Sequence, residues 1–375
     1  MNAPKTVPPP SIALSFFATG IATLGATLAW SLAGNLSPLA LLHLLVVGVF
    51  AMVAMGALYQ FVPVVGMSPL RSTRLPFLHL GLAGTGTVLL VYGFQSGEFP
   101  YVITGGALHI AGALLESFIL IATLWKRQGA GMPARLATVA FAWFTATAAA
   151  GIASATGTLT AGTHATIGLA GFYGTLITAV TFRLLRMFER INVEPRAPLR
   201  VIAVTIAAIT AAVTPRTGSI LLAVVAGLLL ADLFDIARRR NPAYQPETLL
   251  YALLSMLGGL LAAVAAAYGM WLQAVTVAVW FFAGGAVVGH SQRIVPFIWW
   301  IRRSKIEGAR NIPNLGEINS SALGFVILVL WTAAGVWWLF TPFARAPAAV
   351  GLAAWAVLAL QLARPFVLRK RVPAA

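Results

Sequence analysis

Twelve apolar runs, most of them long enough to cross a bilayer and nearly free of charge inside, constrain this chain more than any other feature. They lie at 11–33, 37–65, 74–95, 99–125, 132–155, 160–187, 198–214, 217–237, 247–268, 271–300, 318–340 and 346–368. A hydrocarbon core of roughly 30 Å takes about 20 helical residues to cross, and 198–214 is the shortest of the twelve. In lipid each backbone polar group must be paired within the protein, and none of the runs alternates as barrel strands do, so these segments are helices. Only 9% of the 375 residues are charged, against roughly 25% in a soluble domain. The expected fold class is an all-α integral membrane protein of about twelve transmembrane helices. A single transmembrane domain over 11–370 follows a Pro-rich leader, 1–10, expected to be disordered.

The basic residues orient this bundle. With the N-terminus inside, every one of the 25 Lys and Arg except Arg216 and Arg345 falls on the inner side, as the positive-inside rule requires. Both termini are then cytoplasmic, in a bacterial cytoplasmic (inner) membrane. The net charge of +16 comes from these loops and calls for no nucleic acid. The first run is too long for a cleaved signal and is followed by eleven more. The absence of cysteine excludes disulfides, thiolate metal sites, iron–sulfur clusters and covalently attached haem c.

Ionisable side chains inside a bilayer are expensive, and each one is a candidate for function. All five histidines, His43, His79, His109, His164 and His290, fall inside the runs. Neutral imidazole can be buried and is a common ligand for haem iron, copper and zinc; a lone membrane histidine can equally hydrogen-bond a neighbouring helix. His43, His164 and His290 lie on helices two, six and ten, which suggests three pseudo-repeated four-helix arcs. At about 1.5 Å per residue, His43 and His164 each sit roughly 6–10 Å inside the outer boundary, a shared depth at which two histidines can clamp one haem plane. His290 is deeper, His109 is near the middle and His79 near the inner face; a second inner site from His79 and His290 is conceivable.

Further candidates surround these. Gly168, Gly171 and Gly174 follow His164, leaving room for a macrocycle or, equally, for close approach of another helix. His109 and Glu116 are seven residues apart on one helix face, where the carboxyl can relay a proton or make a single polar contact. Arg216 and Arg345, the two outer arginines, are candidates for contacting haem propionates, or are solvated loop charges. Gly84 and Gly86 do not extend into a dinucleotide fingerprint, and there is no Walker sequence, His-Glu-x-x-His or nucleophile elbow.

Two segments resemble the haem–copper oxidase subunit I superfamily, which includes the nitric oxide reductase large subunits. "HLLVVGVFAMVAMGALYQFVPVVGM", His43 to Met67, is similar to that family's second helix, in which a haem-ligating histidine precedes a cytoplasmic Val-Pro, here Val62 and Pro63. "THATIGLAGFYGTLITAVTFRLLRMF", Thr163 to Phe188, resembles its His-x-His helix. A third stretch, "GHSQRIVPFIWWIRR", is similar to related membrane proteins and to the NnrS haem proteins. Twelve helices in three arcs are also that superfamily's architecture. There are departures: Thr166 stands where the second histidine of His-x-His belongs, the motif lies on helix six instead of ten, helix seven has no histidine pair for copper, and no His-x-x-x-Tyr follows His164.

The resemblance implies an inner-membrane protein that binds haem b, with copper left open, and lacks a complete oxygen-reducing centre. His43 and His164 are the expected iron ligands, with His290, His109 and His79 behind them. It further implies respiratory electron transfer with a membrane or periplasmic partner, or a nitric oxide response. The alternative from another class is a secondary transporter whose histidines and Glu116 line a substrate or proton path; a structural subunit without cofactor is a third. Ligands should face each other across a slot, whereas transporter histidines should line a midplane cavity beside broken helices.

Overall fold

The computed structural model describes residues 7–34, 36–125, 132–189, 196–239, 247–307, 312–313, 315–341 and 344–368. The chain is an all-α multi-pass membrane protein. Among the described residues it forms twelve long helices: α1 (Pro10–Ala33), α2 (Pro38–Val65), α3 (Leu75–Ser96), α4 (Phe99–Leu124), α5 (Met132–Ala155), α6 (161–189), α7 (Ala197–Val213), α8 (Pro215–Arg239), α9 (Glu247–Ala267), α10 (271–307), α11 (Ser321–Phe340) and α12 (Arg345–Val367). A single turn, Leu315–Ile318, precedes α11. Eleven helices are long and apolar enough to cross a membrane, and α7 is the shorter one. Of the leader expected at 1–10, residues 1–6 lie outside the described residues, and α1 starts at Pro10.

Local chemistry sets the helix ends. The Ser37 and Thr160 side chains accept from the backbone N–H groups of Ala40 and Thr163, capping α2 and α6. Glycines at positive φ, Gly34 (81°) and Gly97 (78°), close α1 and α3, a conformation that a Cβ disfavours. The short α7 is fixed as half of a hairpin. Arg196 and Arg200, at its start, each reach Asp232 near the end of α8 at 2.8 Å. The two helices therefore run antiparallel, and α7 covers most of the depth that α8 covers on its return.

The helices pack in sequence around a closed ring, and α12 lies against α1: Trp355 Nε1 donates to the Ile21 carbonyl at 2.7 Å, and Arg345 reaches the Ala33 carbonyl at 3.4 Å. Three helices occupy the centre. Each of α2, α6 and α10 carries a π-helical stretch, Leu44–Ala51, Ile167–Tyr173 and Ala278–Gly284, and the stretch in α10 packs on the other two. Such widened turns are rare and often mark functional positions. This is a structural counterpart of the three arcs read from the histidines, with one difference. His43 and His164 lie just before their π stretches, whereas His290 lies after its own, so His290 is not their equivalent. Pro63 and Pro296 do correspond, each following its stretch at the same spacing.

The three central helices separate differently furnished regions. Between α10, α11, α12 and α1 the space is filled by tryptophan. Trp280 and Trp331 stack with ring centres 4.1 Å apart, and each indole donates to the other's backbone carbonyl. Between α6 and α10 lies a cavity of about 120 Å³ lined mainly by small apolar side chains such as Ala170, Gly259, Ala262 and Ala278. Four of the five histidines lie on the helices from α2 to α6.

Candidate functional site

His43 leaves the first turns of α2, and His164 the first turn of α6, at the same end of the bundle. Their rings are within 8° of parallel, with centres 6.2 Å apart. Each ring is held by its own backbone acceptor: Nδ1 of His43 lies 2.8 Å from the Leu39 carbonyl and Nδ1 of His164 lies 3.0 Å from the Thr147 carbonyl of α5. A carbonyl can only accept, so Nδ1 carries the hydrogen in both rings and Nε2 keeps its lone pair. Histidine ligands to metals are oriented in this way. The Phe94 ring packs 4.5 Å from His43.

The pair brings two imidazole nitrogens with free lone pairs close together, and neutral imidazole is a common ligand for haem iron, copper and zinc. Among the described residues there is no group of three or more His, Asp or Glu side chains arranged for a metal ion. The cavity of about 510 Å³ nearby is not between the rings: it lies between α1, α2 and α3, lined by Leu44, Gly48, Thr87 and Gln95, and neither histidine borders it.

Behind the pair the polar column continues towards the other end. His109 Nε2 is 3.4 Å from the Thr87 hydroxyl, which donates to the Ala83 carbonyl. Deeper still, His79 Nδ1 lies 3.0 Å from the Tyr59 hydroxyl and 3.7 Å from Glu116 Oε2. His79 and Glu116 are fully enclosed, and Tyr59 is as well. Glu116 therefore belongs with His79 and Tyr59, on α3 and α2, and not with His109 as the shared helix face predicts: the carboxyl reaches across to a neighbouring helix, while His109, one face-repeat away, has Thr87.

The remaining candidates are dispersed. His290 bonds through Nε2 to the Thr181 hydroxyl at 3.1 Å, and shares no partner with His79. Arg345 lies against the C-terminal end of α1, while Arg216 is exposed at the α7–α8 turn. The glycines after His164 form a helix seam. Gly168 faces Thr147 and Gly171 faces the Trp143 ring, both on α5, whereas Gly174 faces Val204 on α7. Their space is taken by neighbouring side chains, so close helix approach, and not a macrocycle, accounts for them. Two further residues belong to these sites: Tyr59, whose hydroxyl inside an apolar run is visible in the sequence, and Gly151 on α5, which lies against the His164 ring and carries no such signal.

The fold and these buried polar groups define an all-α multi-pass membrane protein with intramembrane histidines. No family model and no curated protein matches the chain.

Proposed function

We propose that this protein binds haem b in the membrane, with His43 and His164 as axial ligands, and serves in electron transfer or in the response to nitric oxide. The observation that carries the reading is the near-parallel pair itself, each ring fixed through Nδ1 with Nε2 free to ligate. A six-coordinate haem would supply one-electron transfer; loss of one ligand would open a position for a small gas. The protein's own part is to orient both rings from backbone carbonyls. The three-arc arrangement, with α2 and α6 central, supports a relationship to the haem–copper oxidase subunit I superfamily.

The transporter alternative is less well supported. The facing pair lies near one end of the bundle, and α2, α6 and α10 run continuously through their π stretches instead of breaking. We place the arginine-rich end in the bacterial cytoplasm, with both termini there, because positive residues concentrate on that side of a membrane protein.

The test is a reduced-minus-oxidised absorption spectrum of protein purified in detergent after haem-supplemented expression, with His43→Ala and His164→Ala alongside. A haem band in the native protein that both substitutions abolish or strongly alter is expected. A colourless native protein, or a band indifferent to both, would sink the reading.

A further inference from the structure

Glu116 is fully enclosed, and neither of its carboxyl oxygens has a hydrogen-bond partner among the described residues. A buried polar group left in this state is strongly disfavoured, and a buried carboxylate more so. Beside it is His79, whose Nδ1 is 3.7 Å away and whose Nε2 is also without a partner among the described residues. Tyr59 completes the group through its hydroxyl, 3.0 Å from the same Nδ1. Three helices thus bring an acid, a base and a hydroxyl together where core side chains enclose them. A lone structural contact would pair these groups fully; here three polar atoms stay open.

Few other titratable groups act on this site. Helix α1 carries none, α2 adds His43, α3 adds Tyr92, and α4 adds Tyr101 and His109; α5 contributes Arg135 alone, exposed at the basic end. Further polar groups lie along α4 towards the basic end. Thr123 lies two turns beyond Glu116 on the same face of α4, about 10 Å along the axis. Its hydroxyl donates to the Ile119 carbonyl at 2.7 Å and accepts from the Arg71 backbone N–H at 3.0 Å, and its carbonyl accepts from Ser68 Oγ at 2.6 Å. Arg71 is exposed at the arginine-rich end.

We infer that Tyr59, His79 and Glu116 form a proton-exchange site within the membrane, loaded from the arginine-rich end past Thr123 and Ser68. In the exchange the Tyr59 hydroxyl turns its proton away from Nδ1 and the 3.7 Å gap closes; the O–H bond of the Glu116 carboxyl then breaks and an N–H bond forms at His79 Nδ1, leaving carboxylate and imidazolium. Tyr59, which donates to Nδ1 when the ring is neutral, accepts from it afterwards. The site gives the chain a proton-handling function that does not depend on what His43 and His164 bind.

Infrared absorption of the protonated carboxyl tests this directly, on the full chain in lipid, in water and in D2O over a range of pH. The native protein is expected to show a carboxyl band that shifts in D2O, falls as bulk pH is raised, and is missing from Glu116→Gln. Tyr59→Phe should move the band, and Thr123→Val should slow its shift after transfer to D2O. Native and Glu116→Gln spectra that coincide would overturn the proposal. So would a native band unmoved by both D2O and pH, a result readable even where the substitution prevents folding.

Discussion

Gly151 on α5 lies against the His164 ring: a Cβ at this position would stand 3.0 Å from Cε1 of the imidazole. The same helix supplies the Thr147 carbonyl that holds Nδ1, so α5 sets both the position and the tautomer of a residue on α6. Gly151→Ala should displace the ring without disturbing the rest of the bundle. The expected result is an unchanged helical circular-dichroism spectrum with a weakened or shifted haem band; an unaltered band would show that the ring position is not critical.

The proposed ligation separates the histidines into two classes. His290 is tied to Thr181, and His79 to Tyr59, neither of them beside the His43–His164 pair. His290→Ala should keep the haem band at native intensity, and lose about 1–3 kcal/mol of stability because the Thr181 hydroxyl is left buried without its partner. Haem content per protein and thermal unfolding in detergent measure the two effects separately. Loss of haem in this variant would move the ligand assignment to His290.

The Trp280–Trp331 stack should matter for stability alone. Both rings are essentially inaccessible, and Gly284 on α10 leaves the space that Trp331 enters. Between membrane helices packing contributes more than exclusion from water does, so the cavity is what counts. Trp331→Ala should lower stability by about 3–5 kcal/mol, read as a fall in midpoint on thermal or denaturant unfolding, with any haem spectrum retained.

The α7–α8 hairpin predicts sidedness. If α7 crosses the membrane, Arg216 shares a side with Arg345, opposite Arg238. The natural absence of cysteine makes Arg216→Cys, Arg345→Cys and Arg238→Cys clean probes for a membrane-impermeant thiol reagent. The first two should label from outside intact cells, the third only after permeabilisation. Labelling of Arg216→Cys and Arg238→Cys from the same side would mean that α8 does not cross.

Much of the fold was legible in the linear sequence. Every apolar run has its helix within a few residues, including 198–214, because the tendency to cross lipid is summed over local side chains and the backbone must pair within its own segment. The shared depth of His43 and His164 was also readable, since rise per residue converts position into depth.

Orientation around each helix was not readable. A π stretch shifts every later side chain off the 3.6-residue register, and α2, α6 and α10 each contain one. Face arguments that begin at His164 therefore stop holding before Gly174, which turns to α7 while Gly168 and Gly171 stay on α5. Glu116 illustrates the same limit across helices: its heptad mate is His109, yet its neighbour is His79. The sequence by itself determined which segments enter the membrane and which carry ionisable groups. Only the tertiary structure decided which of those groups meet, because contacts between helices depend on rotation and packing that no local sum of hydropathy contains.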